Sequence, residues 1–225
     1  MQKEKYQQLI ETLGKKTTLI AVSKMQPVES ILQLYKYGHR DFGENYVQEL
    51  VEKQMLLPAD IRWHFIGHLQ SNKIKYIAPF VHLIHSVDSF KLLLEIDRQG
   101  NKVGRRINCL LQVHVAMEET KYGLFEKELD ELVSGVTKAG ELHQLNNIKI
   151  CGLMGMASLS DDENKIRAEF KYLSAIYDKY APINTANFHF QKLSMGMSAD
   201  YQIALEEGSN MVRIGSLVFG RRSVK

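Results

Sequence analysis

Residue types able to do chemistry cluster at the ends of short apolar runs. Lys24 ends Leu19-Ile20-Ala21-Val22-Ser23-Lys24. A lysine delivered by an apolar strand to a poorly solvated mouth has its ammonium form disfavoured, which exposes an amine suited to a carbonyl. The plainer role is a lysine snorkelling to solvent. Near the C-terminus, Met211-Val212-Arg213-Ile214-Gly215-Ser216-Leu217 puts Arg213 and Gly215 on one strand face. Gly215 lets backbone amides approach an anion, and Ser216 adds a hydroxyl donor. The same pair also makes an ordinary helix-capping turn. Leu193-Ser194-Met195-Gly196-Met197-Ser198 supplies a second small, donor-rich loop, and two such loops favour a phosphate more than either alone. Ser198 and Asp200 equally suit the cap of a following helix that ends near Gly208. Arg213 sits in an apolar run and needs a partner, either a structural carboxylate such as Glu44 or an acceptor on a ligand. Asn45 ends Asp41-Phe42-Gly43-Glu44-Asn45, and His64 lies in Trp63-His64-Phe65-Ile66-Gly67. Both could line the same mouth, although a strand histidine is more often a hydrogen-bonded core residue.

The eight histidines and two cysteines show no His-x-x-x-His or Cys-x-x-Cys spacing with metal-site character, so no metal centre is expected. The chain also lacks a Gly-x-Ser-x-Gly elbow, a P-loop and a Gly-x-Gly-x-x-Gly fingerprint. The basic segment Arg221-Arg222-Ser223-Val224-Lys225 reads as a solvated terminus.

These residues need elements to hold them. Apolar runs recur at Thr18–Lys24, Arg40–Asn45, Arg62–Gly67, His82–Val87, Ile107–Val115, Lys149–Met156, Phe188–Met195 and Met211–Ser216. Several lack alternation, as strands buried on both faces do. Helical patterns lie between them. Val28, Ile31, Leu32 and Tyr35 form one stripe, with Pro27 near its first turn and Gly38 as its stop. Phe125, Leu129, Leu132, Val133 and Val136 form another. Ser160 and Glu163 make a capping-box pattern ahead of Ile166, Phe170, Leu173 and Tyr177. Tyr6, Leu9, Ile10 and Leu13 predict an extra N-terminal helix ended by Gly14. The gaps after strands two, three and seven have room for weaker helices. Eight such strands predict an α/β fold closed as a single (β/α)8 barrel spanning residues 1–225, with an open doubly wound sheet as the alternative. A barrel takes about 250 residues, so 225 leaves no room for a second domain. Its active site belongs at the C-terminal ends of the strands, where Lys24, Arg213 and Gly215 fall.

Composition narrows the partners. Hydrophobic residues make up 44% and charged residues 24%, ordinary for a globular chain. A net charge of +3 is too weak and dispersed to point to nucleic acid. No apolar run is long enough to span a membrane, and the charged N-terminus lacks a signal-peptide core. Cys109 and Cys151 read as reduced core residues, which places the protein in the cytoplasm. No large exposed apolar stripe is evident, so a monomer is expected. An amine on strand one facing an anion cradle on strands seven and eight suits an aldehyde with a phosphate handle. Pyridoxal 5′-phosphate and a sugar-phosphate aldehyde both answer that description.

Five segments carry a family resemblance. They are Ala21-Val22-Ser23-Lys24, Phe42 to Glu49, Trp63 to Lys73, Leu193 to Ser198, and Val212 to Gly220. Their order and residues resemble the YggS/PROSC family of pyridoxal-phosphate homeostasis proteins, from about Leu19 to Arg221. The resemblance implies a barrel of the alanine-racemase N-terminal type, with Lys24 joined to pyridoxal phosphate as a Schiff base. It puts Ser194, Gly215 and Ser216 near the phosphate, Arg213 near the pyridine nitrogen, and Asn45 and His64 near the site. Lys121-Tyr122-Gly123 resembles a Lys-x-Gly element, which makes Lys121 a second amine near the mouth. The segment Gly140–Asn147 is less family-like.

The resemblance implies a role in vitamin B6 supply rather than turnover, with apo pyridoxal-phosphate-dependent enzymes as recipients. The chemistry agrees. Catalysis by this cofactor draws on a protonated pyridine nitrogen as electron sink, and an arginine there stays charged and keeps that nitrogen bare, which racemases tolerate but only with two well-placed bases. The alternatives are a pyridoxal-phosphate-dependent amino-acid racemase, a Schiff-base aldolase and a scaffold that binds other proteins.

Overall fold

The structure, a computed structural model, describes residues 3–116, 122–137 and 145–220. Eight strands close into a parallel barrel in sequence order: β1 (Thr18–Val22), β2 (Asp41–Glu44), β3 (Arg62–Phe65), β4 (Leu83–Val87), β5 (Ile107–Gln112), β6 (Ile148–Met154), β7 (Phe188–Ser194) and β8 (Met211–Ile214). β1 and β8 complete the ring from Thr18↔Met211 to Ala21↔Ile214. The barrel, not the open sheet, is therefore the architecture. Among the described residues, no helix is long and apolar enough to cross a membrane.

The helices form the outer layer. α1 (Lys3–Leu13) precedes the barrel; α2 (Val28–Lys36), α3 (Val47–Leu56), α4 (Ile74–Ile77), α5 (Phe90–Lys102), α6 (Glu126–Thr137), α7 (Glu163–Tyr180), α8 (Tyr201–Glu206) and α9 (Ser216–Phe219) follow the eight strands in turn. α1 stops at Gly14 and α2 at Gly38, both in the left-handed region that glycine enters freely. Three expectations need correction. α7 is capped by Asp162, whose carboxylate accepts from the amides of Asn164 and Lys165. Ser160 instead accepts from the Asp162 amide one turn earlier. Ile10 is exposed, because α1 buries the narrower face of Tyr6, Leu9 and Leu13. α5 follows β4 without a stripe having been singled out; Ser89 caps it and Leu92, Leu93 and Ile96 fill its buried face.

Two apolar layers hold the barrel. Phe42, Phe65, Phe170 and Phe188 are fully buried between sheet and helices. A smaller cluster of Ile20, Leu83, Leu110, Cys151, Met154 and Met211 lies on the opposite strand faces. Cys109 and Cys151 are free and belong to different layers. The closely packed β6–β7 seam depends on one glycine. The register slips between Ile150 and Gly152, where φ is 150° and an added Cβ would lie 1.8 Å from the Lys192 carbonyl oxygen.

The barrel also encloses charge and imidazole. Arg62 donates twice to the Asp41 carboxylate, and His64 bridges Asp41 and His85. His39 is held between the Tyr6 hydroxyl and the Asp41 carbonyl. Burial pushes His39 and His82 down to about 4, and lowers His64 and His85 as well. Burial alone would raise the Asp41 carboxyl, but bonds from Arg62 and His64 hold it well below the usual carboxylate range.

These features set two expectations for stability. Gly152→Ala costs about 3 kcal/mol or more, because both its φ and its neighbour oppose a side chain. Gly135→Ala, on α6 with open space around its Cα, gains up to about 1 kcal/mol. Urea denaturation of the pair checks the contrast, and equal effects would contradict it. The four histidines remain neutral when folded but charge when released, so unfolding takes up protons below their ordinary pKa of 6.5. Stability is therefore complete above about pH 6.5 and falls as the pH drops towards 4. A urea midpoint unchanged between pH 7 and pH 5 would refute this.

Candidate functional site

A cavity of about 510 Å³ opens at the C-terminal ends of the strands, lined by residues that follow β1, β2, β3, β6, β7 and β8. Lys24 stands on its β1 side, two residues past the strand. The backbone around Lys24 is fastened from several directions. The Ser23 amide donates to the Gly43 carbonyl, and the Ser23 hydroxyl donates to Glu44 Oε1 at 2.6 Å. From α3, Lys53 Nζ donates to the Ser23 carbonyl and to the Glu44 and Glu49 carboxylates, each at 2.7 Å. Glu49 in turn accepts from the Met25 amide. Met25 is a non-glycine residue at φ 58°, a conformation that these anchors sustain. Burial raises the Glu44 carboxyl against the pull of Lys53 and Ser23.

The facing wall comes from the loops after β7 and β8. Arg213, Gly215 and Ser216 line it beside Met197, Ser198 and Ala199. Gly196 turns the β7 loop at φ 96°, where a Cβ would meet the Ala204 Cβ at 2.6 Å. Its carbonyl accepts from the Arg213 amide. The loop closes with the Met197 amide donating to Asp200 Oδ1. A Cβ on Gly215 would touch the Val22 carbonyl oxygen at 3.4 Å, so the bare backbone keeps this side of the cavity open.

Arg213 is only 4% exposed. Its Nη1 donates to the Ser194 carbonyl at 2.8 Å and the Ser194 hydroxyl at 2.7 Å, and its Nη2 donates to the Gly155 carbonyl at 2.9 Å. Burial lowers its pKa to about 10, so it remains a cation at neutral pH. A guanidinium has five N–H donors, and these three bonds leave two for whatever fills the cavity. Asn45 adds an acceptor, since its buried Oδ1 has no partner among the described residues.

Of the residues singled out from sequence, Lys24, Asn45, Arg213, Gly215 and Ser216 share this cavity. Ser194 and His64 do not line it. Ser194 is fully buried behind Arg213, and His64 lies deeper, between Asp41 and His85. Lys121 lies outside the described residues. Glu44 is not the partner of Arg213. It belongs to the Lys53–Ser23 cluster, and Arg213 is satisfied by carbonyls and a hydroxyl instead. Asp200 supplies a carboxylate to the Met197 amide ahead of α8, while Ser198 faces the cavity rather than capping that helix. His85 went unnoticed in sequence. The available signal is a histidine inside the apolar run Leu83-Ile84-His85-Ser86-Val87.

Comparison with known proteins agrees with this geometry. Residues 2–223 match the family described as alanine racemase, N-terminal domain. The pyridoxal phosphate homeostasis protein of Aquifex aeolicus (strain VF5) is 38% identical over 205 residues, spanning 91% of this chain and 86% of the relative. The protein of the same name from Escherichia coli (strain K12) is 35% identical over 209 residues, with 91% and 86% covered. The structure of PipY from Synechococcus elongatus PCC7942 with PLP bound has a TM-score of 0.85 at 34% identity, covering 96% of this chain and 99% of that one. An alanine racemase of Clostridium difficile 630 shares the fold, with a TM-score of 0.71 at 15% identity, over 99% of this chain and 57% of that one. A shared barrel and this degree of identity across nearly the whole chain lead to one conclusion: the chain belongs to the family of pyridoxal phosphate homeostasis proteins, built on the alanine racemase N-terminal domain.

Proposed function

We propose that this protein holds pyridoxal phosphate on Lys24 and serves intracellular cofactor supply rather than turnover. The observation that carries the reading is that Lys24 and the Arg213–Gly215–Ser216 wall face one cavity. The residues fit the cofactor. About 510 Å³ is within the range of roughly 300–1,000 Å³ usual for small-molecule pockets. The orphan Asn45 Oδ1 and the two uncommitted Arg213 donors ask for a polar occupant. PipY, at 34% identity, has been solved with PLP bound, and the relatives carry a name that states the cofactor and the role.

When bound, pyridoxal phosphate supplies an aldehyde for covalent attachment and an aromatic ring that withdraws electrons when its nitrogen is protonated. Lys24 is the amine that captures the aldehyde. Its position is set by the Ser23 and Met25 anchors to Glu44, Glu49 and Lys53. Ser198, Gly215 and Ser216 form the end of the cavity suited to a phosphate, through hydroxyls and close backbone approach. Arg213 would hold the pyridine nitrogen as a permanent donor; a guanidinium does not give up its proton, so that nitrogen would stay unprotonated and the electron sink weak. Asn45 would offer its unpartnered Oδ1 to a polar group of the cofactor. His64 and Ser194 act from behind, through Arg213. Among the described lining residues, Lys24 and Arg213 are the ionisable ones, and this supports a holding role over two-base racemisation. The whole barrel is the binding unit. Apo pyridoxal-phosphate-dependent enzymes are the recipients, and the chain works as a monomer in the cytoplasm. Lys121, in the segment that resembles a Lys-x-Gly element of the family, is the candidate for a secondary amine.

The purified protein, loaded with pyridoxal phosphate, is expected to show a visible absorption band that Lys24→Ala lacks while keeping wild-type circular dichroism. Borohydride should fix a pyridoxyl group on the Lys24 peptide by mass mapping. A wild type that takes up no cofactor, or an adduct that persists at another residue in Lys24→Ala, would overturn the assignment. A further assay follows L-alanine racemisation by the loaded protein. Turnover is expected far below the roughly 1–10³ per second of ordinary enzymes, and a rate inside that range would make the racemase reading correct.

A further inference from the structure

Arg213 connects to the far end of the barrel through an unbroken line of side chains. Its Nη1 lies 2.7 Å from Ser194 Oγ, and Ser194 Oγ lies 3.2 Å from His85 Nδ1. His85 Nε2 is 2.9 Å from His64 Nδ1, and His64 Nε2 is 3.1 Å from Asp41 Oδ1. Ser194, His85 and His64 are each no more than 1% exposed. Asp41 opens β2, at the end of the barrel opposite the cavity.

The two ends of this line fix everything between them. A guanidinium only donates, and an ionised carboxylate only accepts. Arg213 therefore gives a hydrogen to Ser194, whose own proton must go on to His85 Nδ1. His85 then carries its hydrogen on Nε2 and gives it to His64 Nδ1. His64 carries its hydrogen on Nε2 and gives it to Asp41. The reverse order would present a bare His64 Nε2 to a carboxylate unless His64 were charged, and it would leave the Ser194 proton without an acceptor among the described residues. We propose that Asp41 is the remote counter-ion of Arg213, acting through a proton-ordered chain of His64, His85 and Ser194, and is thereby a positioning residue for the cavity. Among the described residues no carboxylate bonds to Arg213 directly; Asp200 acts on it only through space, and the chain adds the negative end of a row of aligned dipoles. Other charges facing the two rings come from Arg62, Lys192 and Arg213, with the His82 ring tilted against His64 at 5.3 Å. All of them disfavour a further positive charge on the imidazoles.

The effect on the cofactor rests on the reading above, but the chain itself is testable without it. In the ligand-free protein with 15N-labelled histidine, His64 and His85 should both give the neutral Nε2–H pattern at pH 7. A charged ring, or an Nδ1–H tautomer at either position, would overturn the proposal. Asp41→Asn replaces an acceptor-only group with an amide that can donate as well as accept, so the order is no longer imposed. The His85 nitrogen shifts, two links away, are then expected to move towards a mixture of tautomers, and pyridoxal phosphate to bind about fivefold or more weakly. If Asp41 serves only to anchor Arg62, the variant loses stability but His85 keeps its wild-type shifts, which also overturns the proposal. Should the variant not fold, the wild-type tautomers decide alone. A wild type with the expected tautomers that binds no pyridoxal phosphate would refute the cofactor reading and leave the chain standing.

Discussion

A guanidinium buried inside a parallel barrel has to be satisfied from every side, and much of the molecule is arranged to do so. Arg213 takes its partners from β7 and from Gly155, just past β6, and its amide from the β7 loop. None of these is a carboxylate. An adjacent ion pair would neutralise the cation and occupy its donors, whereas carbonyls and a hydroxyl leave charge and two N–H groups for a ligand. Holding the cation at 4% exposure is tolerable because the barrel supplies aligned dipoles and a distant carboxylate.

The opposite wall solves a different problem. A lysine that lines a cavity from a loop needs a defined place, yet loops are the less rigid part of a barrel. Here the flanks of Lys24 are tied to β2 and α3 by bonds to charged groups, including the buried Lys53–Glu44 pair. Buried ion pairs contribute little net stability, because desolvation offsets their attraction. This pair instead specifies the β1 loop and sustains Met25 at a positive φ that a β-strand exit would not adopt unaided. The two walls meet through β1–β8 closure, where Ala21 pairs with Ile214. Barrel closure is therefore what converts residues 189 positions apart, Lys24 and Arg213, into one site.

Fold and site differed in how readable they were. All eight strands and the extra first helix follow from apolar runs and glycine stops, because two-sided burial leaves a strong local pattern. The capping of α7 was less readable, since Ser160 and Asp162 both offer an acceptor and backbone geometry alone chooses Asp162. The partner of Arg213 was unreadable for a similar reason. Glu44 sits at a strand end of suitable parity, but Lys53, arriving on α3, claims it first. Ser194 and Ser198 lie four residues apart in one motif, and only the Gly196 turn shows which of them reaches the cavity.

By itself the sequence determined the fold class, the amine at the end of strand one and the small, donor-rich loops of strands seven and eight. Each of these is a local property, written in periodicity, residue type and spacing. The tertiary structure alone decided which polar groups meet. His64 was readable as a strand histidine, but its partners Asp41 and His85 come from other strands, 23 and 21 residues away. Side chains from different strands enter a closed interior with one inward direction each, and barrel registry determines which donor finds which acceptor. No local pattern encodes that registry, because it is set by all eight strands together.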